Sequence, residues 1–290
     1  MINLLSAGFS RLFKKRTFYI GVIVMALYGA SDVISAFLDN ISGLDTELDD
    51  IFFMYCLLVP ILMAVFCPLF IGTEYSEGTM RNKIITGHKR AVIYMSNFII
   101  CAAAGLMMCA AYVIICLGLG IPLIGFFAGD IGALIAQAGC SLAMLLSVTG
   151  IFTHISLMIK SKSVSAVICV IFAFVTVLAG MMLDSLLREP EYWEQYIYDG
   201  AYIEGDENAL IQSYDESILS NIRTEYVPNP FYVSGVKRQI YQFIVDFTPG
   251  GQVIKIIEGD SSPLLAGYSM LIAAVTTAAG LIIFNKKNLN

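Results

Sequence analysis

The chain has 290 residues, of which 58% are hydrophobic and 14% charged, and its mean hydropathy is +0.77. A water-soluble globular domain of this size carries far more charge, so the composition describes an integral membrane protein. The net charge of −6 offers no generally basic surface for nucleic acid.

Crossing a hydrocarbon core of about 30 Å takes roughly 20 apolar residues in helical form. Six stretches qualify: Thr17–Phe37, Ile51–Gly72, Ala91–Leu119, Ile131–Ile159, Ser163–Leu187 and Pro263–Phe284. The expected fold is therefore an all-α integral membrane protein with six transmembrane helices. Residues 1–187 would hold the first five spans, 188–262 an extracytoplasmic subdomain, and 263–290 the sixth span and a tail.

In chain order, "INLLSAGFSRLFKK" comes first. Leu4, Leu5, Gly8, Phe9, Leu12 and Phe13 recur at helical spacing beside Arg11, Lys14 and Lys15, the pattern of a short helix lying in the inner interface. A cleaved signal peptide fits less well, because "ALYGASD" puts Tyr28 where a small residue belongs. The first span contains Asp32, an ionisable group at membrane depth and so a candidate for lining a path or gate, with an interfacial position as the plainer reading. Pro60 and Pro68 should bend the second span.

Lys and Arg near span ends are retained on the cytoplasmic side. Arg11, Lys14, Lys15 and Arg16 precede the first span; Arg81, Lys83, Lys89 and Arg90 follow the second; Lys160 and Lys162 follow the fourth; Lys286 and Lys287 follow the sixth. These are twelve of the 17 basic residues. The same side carries only Glu74 and Glu77, so both termini are expected in the cytoplasm.

Between the second and third spans lies "GTEYSEGTMRNKIITGHKR". Thr73 can cap a helix, with Glu74 and Glu77 in its first turn, where the helix dipole favours anions, and Arg81 four residues beyond Glu77. Met80, Ile84 and Ile85 would be its apolar contacts and Gly87 its end. A helix standing out from the membrane at 73–90 is suited to entering a groove on another protein. An ordinary positive-inside loop would account for Lys83, Lys89 and Arg90 but not for the ordered run of Glu, Gly, Thr and Arg.

Further along, the fourth span carries Gln137 and His154, and the fifth carries Asp184 near its outer end. All seven cysteines fall inside spans, which leaves no extracytoplasmic disulfide framework, and no Cys or His spacing suits zinc. Cys101, Gly105 and Cys109 repeat every four residues, a spacing that favours close helix packing. Residues 188–262 lack a run long enough to cross, yet Tyr192, Trp193, Tyr196 and Tyr198 could anchor them at the headgroups. Two short helices that dip into the outer leaflet, broken at Pro249-Gly250-Gly251, would satisfy the length and apolarity of 236–260; a water-exposed helical hairpin would do so as well. Pro249 and Gly250 join Asp32, Asp184 and Gln137 as path or gate candidates.

"EYSEGTMRNKIITGHKR" resembles the segment after the second span of ABC-2 type permeases, the membrane subunits of a class of ATP-driven exporters. The matched positions are Glu74, Tyr75, Gly78, Thr79, Met80, Arg81, Asn82, Gly87 and Arg90, with Glu77 beside them. Six spans, an interfacial first helix and a larger outer element before the last span are similar to that family along nearly the whole chain, as is the Pro-x-Gly segment in "FTPGGQVIKI". An outer segment of about 75 residues exceeds that of many simple members of the family. The resemblance implies a cytoplasmic-membrane, multi-pass permease, bacterial in origin, paired with a second permease copy or a related permease and coupled to a separate ATPase through residues 73–90. ATP and Mg would be bound by that partner, because the chain has no G-x-x-x-x-G-K-[ST] of its own. No cofactor and no catalytic residue is expected here. The cargo would be amphipathic: a peptide antibiotic, a lipid or a drug, with antimicrobial peptide resistance as one outcome. An ion-coupled secondary transporter using Asp32 and Asp184, or a membrane immunity or scaffold protein that moves nothing, are the competing classes.

Overall fold

The computed structural model describes residues 1–198, 201–203, 223–260 and 262–286. Lys287 and the side chains of Tyr196 and Tyr198, used in the sequence reading, lie outside the described residues. Six helical segments are long and apolar enough to cross a membrane: Arg16–Ile41, Leu48–Ser76, Arg90–Leu123, Ile131–Met158, Lys162–Arg188 and Pro263–Lys286. They coincide with the six apolar runs and support a multi-pass membrane protein, because a helix satisfies its own backbone polar groups where no water can.

The larger compact unit comprises residues 1–181 and 244–290. It opens with α1 (Ile2–Leu12), which buries Leu4, Gly8 and Leu12 and packs on α6 (Arg90–Leu123), whereas Phe13 is exposed. α2 (Arg16–Ile41) lies along α6. A single turn, α3 (Leu48–Phe52), leads into α4 (Tyr55–Ser76), which runs unbroken through Pro60 and Pro68. The short α5 (Thr79–Ile85) connects α4 to α6. α7 (Ile131–Met158) is the central helix, packed against α4, α6 and the last helix, α11 (Pro263–Lys286). Tyr94, Tyr112, Phe70, Phe152 and Phe284 fill the interior between these helices. All seven cysteines are buried and unbridged.

α8 (Lys162–Arg188) begins in this unit and continues past residue 181. α9 (Gly235–Phe247) and α10 (Pro249–Ile257) are the two short helices expected around the Pro-Gly-Gly break. Thr248 makes the break: its hydroxyl accepts from the Gly251 amide as an N-cap, and Pro249 occupies the first helical turn, where its missing N–H leaves nothing unpaired. Gly250 then packs directly on the backbone of α8. A Cβ there would overlap the Thr176 carbonyl, so only glycine permits the contact. The sequence reading closes the outer element at residue 262, whereas the compact units divide so that α10 packs with α4 and α7.

The smaller unit, residues 182–243, brings a correction to the all-α expectation. It contains a three-stranded antiparallel sheet of order β2-β1-β3, formed by β1 (Tyr192–Tyr198), β2 (Ala201–Ile203) and β3 (Arg223–Pro228). Trp193 pairs with Val227 across β1 and β3 and packs on Phe231, with ring centroids 5.9 Å apart. The aromatic run reads as headgroup anchors from sequence; Tyr, Trp and Ile also favour extended backbone, and the strand pairing makes use of that preference.

Candidate functional site

The segment after α4 is where the sequence points, and the structure corrects its local anatomy. Thr73 does not cap a new helix. It lies within α4, its hydroxyl donating to the Leu69 carbonyl at 2.6 Å. The helix runs on through Gly72, which is packed against Lys162, and the first residue to leave the right-handed region is Gly78, at φ +69°. Its amide closes α4 on the Tyr75 carbonyl at 3.2 Å, and its own carbonyl receives the Asn82 amide at 3.1 Å, starting α5. Glu74 and Glu77 therefore sit at the C-terminal end of α4 rather than in the first turn of a helix.

That end of a helix dipole repels an anion. Glu74 is nonetheless fully buried, at 0% exposure, and its surroundings supply the compensation. Arg11 of α1 pairs with its Oε1 through Nη1, and Lys83 of α5 reaches the same oxygen at 2.5 Å. The Asn97 amide of α6 donates to Oε2 at 3.3 Å. The Arg11 guanidinium carbon also lies over the Phe70 ring, 4.0 Å from its centroid. One carboxylate thus ties α1, α4, α5 and α6 together. A buried charge loses its hydration, and such partners replace it.

Other residues of the motif extend the tie. The Tyr75 hydroxyl donates to the Leu157 carbonyl at 2.7 Å, near the end of α7 where helical carbonyls lack intrahelical partners. The Arg90 guanidinium donates to the carbonyls of Phe284 at 3.3 Å and Asn285 at 2.9 Å, a cation at the negative end of α11. Thr79 donates to the Glu74 carbonyl at 3.2 Å, and Met80 is buried. The expected pairing of Glu77 with Arg81 is not among the described ion pairs; Glu77 lies instead 3.9 Å from Lys15. Arg81, Asn82 and Gly87 are exposed. Ile85, read as an apolar contact, is 71% exposed, because the short helix turns Met80 and Ile84 inward and leaves Ile85 on the opposite side.

The path candidates separate into local arrangements. Asp32 accepts from the Tyr112 hydroxyl at 2.7 Å, and that hydroxyl lies equally close to the Ile51 carbonyl. Asp184, in the smaller unit, accepts from Arg188 at 2.6 Å, one helical turn away. Gln137 is brought to α10, where its Nε2 donates to the Ile256 carbonyl, while Pro249 and Gly250 form the start of that helix. A further buried amide, Gln252, donates to the Asp246 carbonyl at 2.9 Å and accepts from Ser269 at 2.5 Å, which links α10 to α11.

Sequence reasoning missed Arg11, Lys83, Asn97 and Gln252 as partners. Asn97 and Gln252 gave a usable signal, since an amide within an apolar run must find a hydrogen bond. Arg11 and Lys83 gave none, because basic residues at span ends are already explained by topology.

The fold and this charged junction define the chain as a multi-pass membrane protein with six long apolar helices and a structured polar segment between the second and third. No family model matches the chain, and no match was found among curated proteins.

Proposed function

We propose that the chain is the membrane permease subunit of an ABC-2 type exporter in a bacterial cytoplasmic membrane, with residues 73–90 as the contact for a separate ATPase. In this reading both termini and the α4–α5–α6 junction face the cytoplasm, α1 lies in the inner interface, and the smaller unit is extracytoplasmic. A second permease copy or a related permease completes the assembly. ATP and Mg belong to the partner.

The observation that carries the reading is the enclosure of Glu74. A displacement of α5 is transmitted to α1, α4 and α6 through one shared carboxylate, and to α7 and α11 through Tyr75 and Arg90. A flexible loop would absorb such a push. This junction would pass it to the spans, as a nucleotide-driven machine requires. The motif residues divide accordingly, with Glu74, Tyr75, Met80 and Arg90 holding the junction and Arg81, Asn82 and Ile85 available to a partner.

The test is reconstitution in nanodiscs with candidate ABC ATPases from the same organism. Wild-type protein should form a stable complex and alter ATP turnover. Ile85→Asp, which changes an exposed side chain, should weaken the complex tenfold or more while leaving the chain's own melting temperature unchanged. A complex indifferent to both Ile85→Asp and Arg81→Glu would overturn the assignment of this segment. Transport that persists without any ATPase and collapses with an uncoupler would move the protein to the ion-coupled class.

A further inference from the structure

The corner between α1 and α2 gathers charge of one sign. Four cations, Arg11, Lys14, Lys15 and Arg16, fall within six residues, and no acidic residue stands before Asp32. Two of the four are answered inside the chain, Arg11 by Glu74 and Lys15, more loosely, by Glu77 at 3.9 Å. Lys14 and Arg16 are exposed, and their side chains make no ion pair or hydrogen bond among the described residues.

Retention of basic residues at span ends explains which side of the membrane they occupy but not what stands beside them. Phe13 and Tyr19 are about half exposed, and the Tyr19 hydroxyl donates to the Phe13 carbonyl at 3.0 Å across the corner. Phe18 is buried between them, edge-on to both rings, with centroids 5.9 Å from Phe13 and 5.4 Å from Tyr19. Packing and a hydrogen bond thus hold the two outward rings in place. Aromatics presented in this way belong at the headgroup level.

From there the same face of α2 turns apolar. Arg16, Tyr19, Ile20, Ile23 and Leu27 follow at i, i+3, i+4, i+7 and i+11, a single stripe of the helix, and all five are exposed. Arg16 to Leu27 covers about 16 Å at 1.5 Å per residue, close to one leaflet of a hydrocarbon core about 30 Å thick. Cation, aromatic ring and aliphatic side chain therefore succeed one another in the order of headgroup, glycerol level and acyl chain in a lipid. Charge complementarity decides which lipid: two unanswered cations with no acid beside them favour a headgroup of net negative charge over a zwitterion.

We propose that this corner binds an anionic phospholipid, its phosphate and headgroup held by Lys14 and Arg16, its glycerol level against Phe13 and Tyr19, and an acyl chain along Ile20, Ile23 and Leu27. The bound lipid braces the end of α1 that carries Arg11 to Glu74. The site rests on the membrane-spanning fold and on no feature of the exporter reading.

The test needs neither ATPase nor nucleotide, so its failure and the failure of the exporter reading are separate results. The full chain in a neutral detergent is titrated with dioleoyl phosphatidylglycerol and with dioleoyl phosphatidylcholine, and bound lipid is counted by native mass spectrometry. Phosphatidylglycerol should bind about tenfold more tightly or better. Lys14→Gln with Arg16→Gln should remove most of that preference. Lys89→Gln with Lys286→Gln deletes the same charge from exposed positions at other span ends and should leave the preference within about twofold. If the corner pair lowers helical content, Lys14→Gln alone takes its place, with a loss of about threefold expected. Equal affinity for the two lipids, or an unchanged preference in the folded corner variant, overturns the proposal. Equal losses from the two pairs of substitutions overturn it in favour of diffuse attraction, and displacement of phosphatidylglycerol by millimolar inorganic phosphate overturns it in favour of a free-anion site.

Discussion

At the C-terminal end of α4 a single carboxylate, Glu74, is fully enclosed and shared by Arg11, Lys83 and Asn97, whereas at the N-terminal end four carboxylates ring a cavity that no basic side chain enters. Both ends belong to the same compact unit and share the same helix. At the first end the acid is satisfied from within the chain, so its charge serves to join helices. At the second, backbone amides fix Asp49, Asp50 and Asp130, and the cavity lining holds no basic side chain. Burial distinguishes the two arrangements: a carboxylate removed from water needs a counter-charge at once, while one on an open cavity wall keeps its hydration.

The largest expected effect comes from breaking the enclosed end. Glu74→Ala leaves Arg11 and Lys83 facing each other with no anion, and removing one partner from a buried ion pair costs about 3–5 kcal/mol. Arg11 Nε and Nη2 are already buried without partners, so the guanidinium has little in reserve. Reversible denaturation in detergent should show the loss, and hydrogen exchange should show α1 and α5 opening first. A loss under about 1 kcal/mol would mean that the junction is held by apolar packing, and the contrast between the two ends would reduce to one of exposure.

The sequence disclosed these two ends unequally. Six apolar runs are visible because the bilayer demands length and composition, and both survive in a single chain. The motif from Glu74 to Arg90 drew attention to the junction but not to its anatomy: Thr73-Glu74 reads as a helix start just as well as the continuation of α4, and only the tertiary pairing of Glu74 with Arg11 and Asn97 decides between them. At the cavity, Gln137 stood out as polar in a span, yet Asp49, Asp50, Asp130 and Glu258 are separated by up to 209 residues in sequence. Nothing local shows that they converge. The strands of the smaller unit were hidden for another reason, since Tyr192 and Trp193 satisfy an interfacial reading and an extended one alike.

A second substitution sharpens the comparison from the cavity side. Gly250→Val places a Cβ on the Thr176 backbone and must push α10 from α8. Overpacking of this kind costs about 1–3 kcal/mol. Because α10 carries Ile256, whose carbonyl receives the Gln137 amide, the displacement should also loosen α10 from α7, read as faster hydrogen exchange in α10. The junction should be untouched, and association with the ATPase should be reduced less than by Ile85→Asp. Faster exchange in α5 as well as in α10 would show that the two ends are mechanically coupled through α4 or α7.

The smallest effect is expected at Tyr75. Its hydroxyl reaches the Leu157 carbonyl at 2.7 Å, fastening the junction to the end of α7. Tyr75→Phe keeps the ring, which packs against the core, and removes one neutral hydrogen bond worth about 1 kcal/mol. Combined with Asp50→Asn and Asp130→Asn at the far end of the unit, the losses should add to within about 0.5 kcal/mol, as for sites that share no partner. A non-additive result would place both ends in one network.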